Sequence, residues 1–328
     1  MRIAVTGSIA SDHLMVFPGR FSEQLIEGQL ERVSLSFLAD DLVVRRGGVG
    51  ANIAFALARL GVDAPLLVGA AGVDFGEYGQ WLAAAGVDTC AVRVSASLHT
   101  ARFVCTTDRD QNQIATFYAG AMAEASRIDL EQVAAGAGGV DVVLVGADDP
   151  QAMLAHTAAA RRLGAQLAAD PSQQLARLDR GQVRDLVDGA RWLFTNAYEA
   201  ALLVERSGWS AGEILQRVGT WITTLGPDGV RLAAHGEPDT HLPAVPCAAV
   251  ADPTGAGDAF RAGFLAAVAA GLRQPHAAML GCAMATTVLE SVGTQEYKLA
   301  AGDLSQKLAA AYGPAAARAI EPALGGAP

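Results

Sequence analysis

Short runs of Val, Ile, Leu and aromatic residues recur along this chain, and Ala-rich stretches of helical periodicity separate them. Runs this short, bounded by turn residues, suit strands covered on both faces. Strands are expected at 3–6, 65–69, 140–145, 166–169, 192–195 and 221–225, and helices at 51–60, 76–85, 150–163, 199–205 and 258–270. Strand and helix in alternation imply parallel strands joined by crossover helices, so a doubly wound α/β sheet is expected. Residues 13–48 and 97–120 break this rhythm with polar-apolar alternation. They suit antiparallel strands that could meet as a small sheet beside the strand C-terminal edge, where open α/β sheets bind ligands.

Composition narrows the class of ligand. The formal net charge is -10, and no cluster of Lys and Arg offers the basic surface that nucleic acid demands. An anionic ligand would therefore be met by backbone amides, a few basic side chains or a divalent cation. Cys90, Cys105, Cys247 and Cys282 are far apart in the sequence and show no zinc-ligand spacing, so buried free thiols are expected. No basic segment followed by a long apolar run opens the sequence, and no later apolar run reaches about 18 residues, so membrane insertion is not expected and cytoplasmic residence is.

The strongest local signal is Asp252-Pro253-Thr254-Gly255-Ala256-Gly257-Asp258, followed by an Ala-rich helical run. Glycines permit a tight turn, and the first amides of a helix point outward together toward negative charge. A carboxylate at Asp258 could then accept a proton from an attacking hydroxyl, while the amides of Gly255, Ala256 and Gly257 stabilise charge on a migrating phosphoryl group. The alternative is an ordinary helix cap at Asp258 with the glycines serving only a turn.

Two segments together carry a resemblance. Asp252 to Leu265 is similar to the C-terminal signature of the PfkB (ribokinase) family of kinases, and Gly47-Gly48-Val49-Gly50-Ala51-Asn52 to its N-terminal one. Asn196-Ala197-Tyr198-Glu199 resembles the family's NxxE motif, and Thr224-Leu225-Gly226-Pro227-Asp228-Gly229 its nucleotide-contacting turn. Gly7 to Phe21, His99 to Phe103, Asp170 to Leu178, Asp252 to Phe264 and Glu290 to Tyr297 together resemble the actinobacterial adenosine kinases within that family, a resemblance spanning residues 1 to about 312. It implies a ribokinase-like three-layer αβα sandwich with a small β-sheet lid: residues 1–12, 49–96 and 121–328 in the large domain, 13–48 and 97–120 in the lid. It also implies ATP as donor, a divalent metal such as Mg²⁺, phosphorylation of the adenosine 5′-hydroxyl to AMP and a homodimer through the lid, while K⁺ activation through carbonyls near Asp252 and Gly293 is left open.

The residues then take roles. Asp12 and Asn52 can hold ribose hydroxyls through hydrogen bonds, with Ser8 and Gly48 beside them; an Asx turn and a helix cap are the plainer readings of Asp12 and Asn52. Phe103 and Phe117 can stack on a purine, joined by Ser36 and Phe37, or can form lid core. Gln173 and Gln174 follow a strand end and can approach the nucleoside, unless they form a surface loop. Arg177 and Arg261 are candidate phosphate partners or else ordinary surface arginines, and Asn196, Thr224, Gly226, Gly229, Gly255 and Gly257 are candidate ATP contacts. Glu199 would reach Mg²⁺ through water, since Mg²⁺ dehydrates reluctantly, or would simply start a helix. No Walker P-loop and no protein-kinase signature is present. A sugar acceptor such as ribose or fructose, or a silent nucleoside-binding protein, remains as a rival because the phosphate-site motifs do not specify the acceptor.

Overall fold

The structure, a computed structural model, describes residues 1–24 and 34–325. In chain order its strands are β1 (Ile3–Thr6), β2 (Ala10–Val16), β3 (Asp41–Gly47), β4 (Leu66–Ala71), β5 (Val92–Val94), β6 (Ala101–Thr107), β7 (Gln113–Tyr118), β8 (Val142–Val145), β9 (Gln166–Ala169), β10 (Trp192–Asn196), β11 (Thr220–Thr224), β12 (Val230–Ala233) and β13 (Thr240–Leu242). Among the described residues they form a nine-stranded sheet in the order β13-β12-β11-β10-β9-β8-β1-β4-β5 and a four-stranded sheet in the order β3-β2-β6-β7.

The large sheet is parallel from β5 through β11 and ends in the antiparallel pair β12 and β13. Alternate side chains of one strand feed opposite cores. Ile3 and Val5 join a cluster with Phe55, Phe260 and Phe264, whereas Ala4 joins one with Met153, Leu186 and Trp221. A sheet buried on both faces between two helix layers is the three-layer arrangement that the short apolar runs implied. The chain leaves β1 through β4 to β5 and then returns to β8 on the other side. The strand order therefore reverses between β1 and β8, and a crevice opens at their carboxyl ends.

The small sheet grows from that crevice. β2 follows β1 after only three residues, so its first residues, including Asp12, belong to the small sheet although the sequence suggested that this sheet begins at residue 13. β2 pairs parallel with β6, so the sheet is mixed and not antiparallel throughout as its alternation suggested: period-two alternation marks a half-covered strand but not the direction of its neighbour. Of the 13–48 region, residues 25–33 lie outside the described residues. The return from β3 turns at Gly48, whose φ is +97° and whose hypothetical Cβ would sit 2.5 Å from the Ser8 carbonyl oxygen. Only glycine fits that approach.

Several elements were not expected. β5, β12 and β13 are short, and the helix Gln274–Leu289 has buried residues all round it, so it presents no apolar stripe to recognise. Of the cysteines expected to be buried, Cys105 and Cys282 are, but Cys247 is half-buried and Cys90 exposed, because the turn that carries Cys90 lies on the surface.

Candidate active site

A cavity of about 520 Å³ opens at the crevice, walled by β2 and β6–β7 of the small sheet on one side and by the Gly48 and Gly255 turns on the other. Ser8, Asp12, Gly48, Asn52, Phe103, Phe117, Gln173, Gln174, Arg177 and Asp258, drawn from segments far apart in the chain, all line it. Ser36 and Phe37 do not. Phe37 packs instead against Phe17 and Phe21, at 5.1 and 4.9 Å between ring centroids, which draws this segment into a separate aromatic cluster. Thr254, Thr294, Met122 and Ala147 also line the cavity. The sequence offered Thr254 and Thr294 only as parts of longer motifs, and nothing marked Met122 or Ala147.

The helix Ala256–Ala269 starts two residues earlier than its periodicity suggested, because Gly255 adopts the left-handed conformation (φ 77°) and serves as the N-cap without a side-chain bond. Asp258 thus stands in the first turn rather than at the cap position. Among the described residues, the Gly257 and Asp258 amides donate to no backbone carbonyl, leaving them directed out of the helix end. The Asp258 carboxylate accepts from Asn52 Nδ2 at 2.8 Å. Burial pushes its pKa up to about 7, with Asp170 and Glu199 adding to the shift and the Asn52 hydrogen bond and Arg261 opposing it.

Asn52 lies within the helix Val49–Arg59, so it caps nothing, and its side chain is committed to Asp258 and to Thr294 and Gln295 on the opposite side. Asp12 sits inside β2, which removes the turn reading. Its pKa is pushed up to about 6 by burial and by the carboxylates of Asp252 and Glu296, against Arg45. Phe103 and Phe117 are direct cross-strand partners, and Phe117 keeps 49% of its surface exposed, which is not how lid core behaves. Gln174 is buried and donates through Nε2 to the Asp148 carbonyl at 2.8 Å; Gln173 is exposed.

Beyond the cavity wall, Arg261 is neither a surface arginine nor a free phosphate partner. It forms a buried two-pronged pair with Asp170, Nε to Oδ2 at 2.6 Å and Nη2 to Oδ1 at 2.7 Å. Arg177, by contrast, is exposed at the rim and has no ion pair among the described residues. Asn196 and Glu199 form a reciprocal capping box at the start of the helix Ala197–Ser207, each side chain accepting from the other's amide at 2.8 Å. Burial raises the Glu199 pKa, and Oε1 keeps only a 3.4 Å contact with Ser172. Thr224 pairs with Asn196 at the end of β11, and Gly226 and Gly229 take positive φ just after it. Asn196, Glu199, Thr224, Gly226 and Gly229 lie at or just after the ends of β10 and β11, outside the cavity lining.

Among the described residues no group of three or more His, Cys, Asp or Glu could hold a metal ion directly. One oxygen of Glu199 is left to receive the water shell of a cation, which is how Mg²⁺ is commonly held when phosphate supplies other ligands. No helix among the described residues is long and apolar enough to cross a membrane.

The sequence profile of the pfkB family of carbohydrate kinases matches residues 8–300. A nucleoside kinase from Methanothermobacter thermautotrophicus is 30% identical, over 81% of this chain and 85% of its own length. The structure of Burkholderia thailandensis nucleoside kinase in complex with inosine superposes with a TM-score of 0.82 at 33% identity, covering 95% of this chain and 98% of that one. A ribokinase from Thermotoga maritima, at 22% identity and a TM-score of 0.77, shares the fold over 94% of this chain and 99% of its own.

Proposed function

The chain belongs to the PfkB family of carbohydrate kinases, and we propose that it transfers the γ-phosphoryl group of ATP to the 5′-hydroxyl of a purine nucleoside, with adenosine as the favoured acceptor. The observation that carries this reading is one cavity lined both by an aromatic pair and by the carboxylate of Asp258, whose helix begins with two amides that donate to no backbone carbonyl among the described residues. A base lying on Phe103 and Phe117 places its ribose between Asp12 and Asn52, with the 5′-oxygen toward Asp258. Asp258 takes the hydroxyl proton as the oxygen attacks in line, and the amides at 257 and 258 meet the negative charge of the migrating phosphoryl group. ATP would lie along the edge formed by Asn196, Thr224, Gly226 and Gly229, with Arg177 at the rim. A Mg²⁺ ion held through water at Glu199 would neutralise phosphate charge.

Relatives named as nucleoside kinases, one of them in complex with inosine, support a nucleoside over a free sugar and leave the base to be tested. A coupled assay with ATP, Mg²⁺ and adenosine, inosine, guanosine, ribose and fructose is expected to show turnover of the nucleosides, adenosine highest. Turnover of ribose or fructose alone would remove the nucleoside reading. Higher turnover of inosine would transfer the acceptor assignment to it. Phe117→Ala should raise the nucleoside KM about tenfold, since stacking of a base on an aromatic ring is worth about 1–3 kcal/mol, while leaving a sugar's KM unchanged.

A homodimer through the lid remains part of the proposal. Leu42, Val44, Ile114 and Tyr118 are exposed on the face of the small sheet opposite Asp12, Phe103 and Phe117, and exposed apolar patches of this kind mark association surfaces. Sedimentation of the protein as a monomer at micromolar concentration would rule it out.

A further inference from the structure

An amide side chain has a donor end and an acceptor end of nearly equal size, so its neighbours decide which way it faces. Asn52 turns Nδ2 toward Asp258, while its Oδ1 accepts from Gln295 Nε2 at 3.0 Å and meets Thr294 Oγ1 at 2.9 Å. Thr294 cannot settle the orientation alone. Its hydroxyl also lies 2.9 Å from the Arg46 carbonyl, and with its single proton placed there its oxygen would receive the nitrogen of a reversed Asn52 equally well.

Gln295 can settle it, because its own orientation is fixed by groups that have only one polarity. Trp81 Nε1, a donor with no lone pair to offer, donates to Gln295 Oε1 at 3.1 Å. That turns Nε2 to Asn52 Oδ1 and to the Tyr78 hydroxyl, 2.6 Å away. Tyr78 in turn donates to the Gly47 carbonyl, which can only accept, at 2.8 Å. Gln295 is 1% exposed, so water does not compete for these bonds.

We propose that Gln295 is a positioning residue for phosphoryl transfer, holding the Asn52 amide with its nitrogen rather than its oxygen toward Asp258. The proposal rests on Asp258 being the base. An N–H facing a carboxylate favours its ionised, proton-accepting form, whereas a carbonyl facing it favours the protonated acid. Of the charged groups around Asp258, Arg261 also favours the ionised form, while Asp170 and Glu199 oppose it together with burial. Tyr297, whose phenol is pushed above its ordinary range mainly by burial, is a further neighbour and stays neutral. The Asn52 contact thus helps to keep the base usable near neutral pH, together with Arg261, and its sign depends on Gln295.

The test titrates Asp258 itself. In protein carrying ¹³C-carboxyl aspartate, the Asp258 resonance is identified by its absence from Asp258→Asn and followed with pH in wild type, Gln295→Leu and Trp81→Phe. Both substitutions should move the midpoint upward, by about one pH unit in Gln295→Leu. The acidic limb of kcat should move with it, and turnover should recover at pH 9. A titration unchanged in both variants, or a loss of kcat that is constant across pH, would overturn the proposal. Trp81 is 36% exposed, so the test survives if Gln295→Leu fails to fold. The titration requires no turnover: a wild-type protein that phosphorylates no acceptor would defeat the kinase reading and leave the orientation of Asn52 open to the same measurement.

Discussion

Asp258→Asn is expected to lower kcat by about 10²–10⁴-fold, the usual contribution of a positioned general base, with nucleoside binding retained. The amide has the shape of the carboxylate and can still accept from Asn52, so the cavity keeps its form, but it cannot take the proton of the attacking hydroxyl. Stability should not suffer. The carboxyl of Asp258 titrates at about 7 in the folded protein against 3.8 ordinarily. The folded state therefore binds the proton more tightly, and this group's stabilising effect, complete below about 4, is lost as pH rises through 7. An uncharged amide escapes that loss. The same pKa predicts that wild-type kcat falls about tenfold per pH unit below about 7, as the base becomes protonated. Thermal unfolding, isothermal titration with nucleoside and a pH series of kcat check these points. Near-normal turnover by Asp258→Asn, or a kcat flat from pH 5 to 8, would remove Asp258 from its role.

Asp170→Ala is expected to cost about 3–5 kcal/mol of stability, the usual effect of stripping one partner from a buried ion pair. Arg261 has 6% of its side chain exposed and Asp170 1%, so the guanidinium left behind would have neither water nor its carboxylate. Glu199, 4.0 Å away and engaged in its capping box, is a poor substitute. Urea unfolding at constant slope measures the loss. The double variant Asp170→Leu with Arg261→Met should recover most of it, since apolar replacement of a whole buried pair is often neutral. A loss below about 1 kcal/mol in the single variant would show that Arg261 finds another partner on relaxation.

These two residues show where sequence was informative. The glycines and carboxylate of 255–258 announce a turn, a helix start and an acidic side chain in its first turn within four positions, because all three are local properties of the backbone and of one side chain. The six expected strands recur as β1, β4, β8, β9, β10 and β11 with ends displaced by two residues at most. Burial on both faces gives them continuous apolar runs that local pattern can reveal. The helix Gln274–Leu289 escaped notice for the complementary reason, since enclosure on all sides erases the stripe. Asp170 was noted only as part of a strand-end motif, and its commitment to Arg261, 91 positions away, has no local trace.

By itself, then, the sequence determined the class of fold and the chemical types available to the site. Periodicity and turn residues act over a few neighbours, and those neighbours are printed side by side. Tertiary structure alone decided which groups meet: Asn52 with Asp258 across 206 positions, Gln295 with Trp81 and Tyr78, and the removal of Phe37 to a separate aromatic cluster. Such meetings follow from the packing of the whole chain, and the raised pKa of Asp258 follows from them in turn, because burial and neighbouring charge are properties of the assembled site and of no single segment.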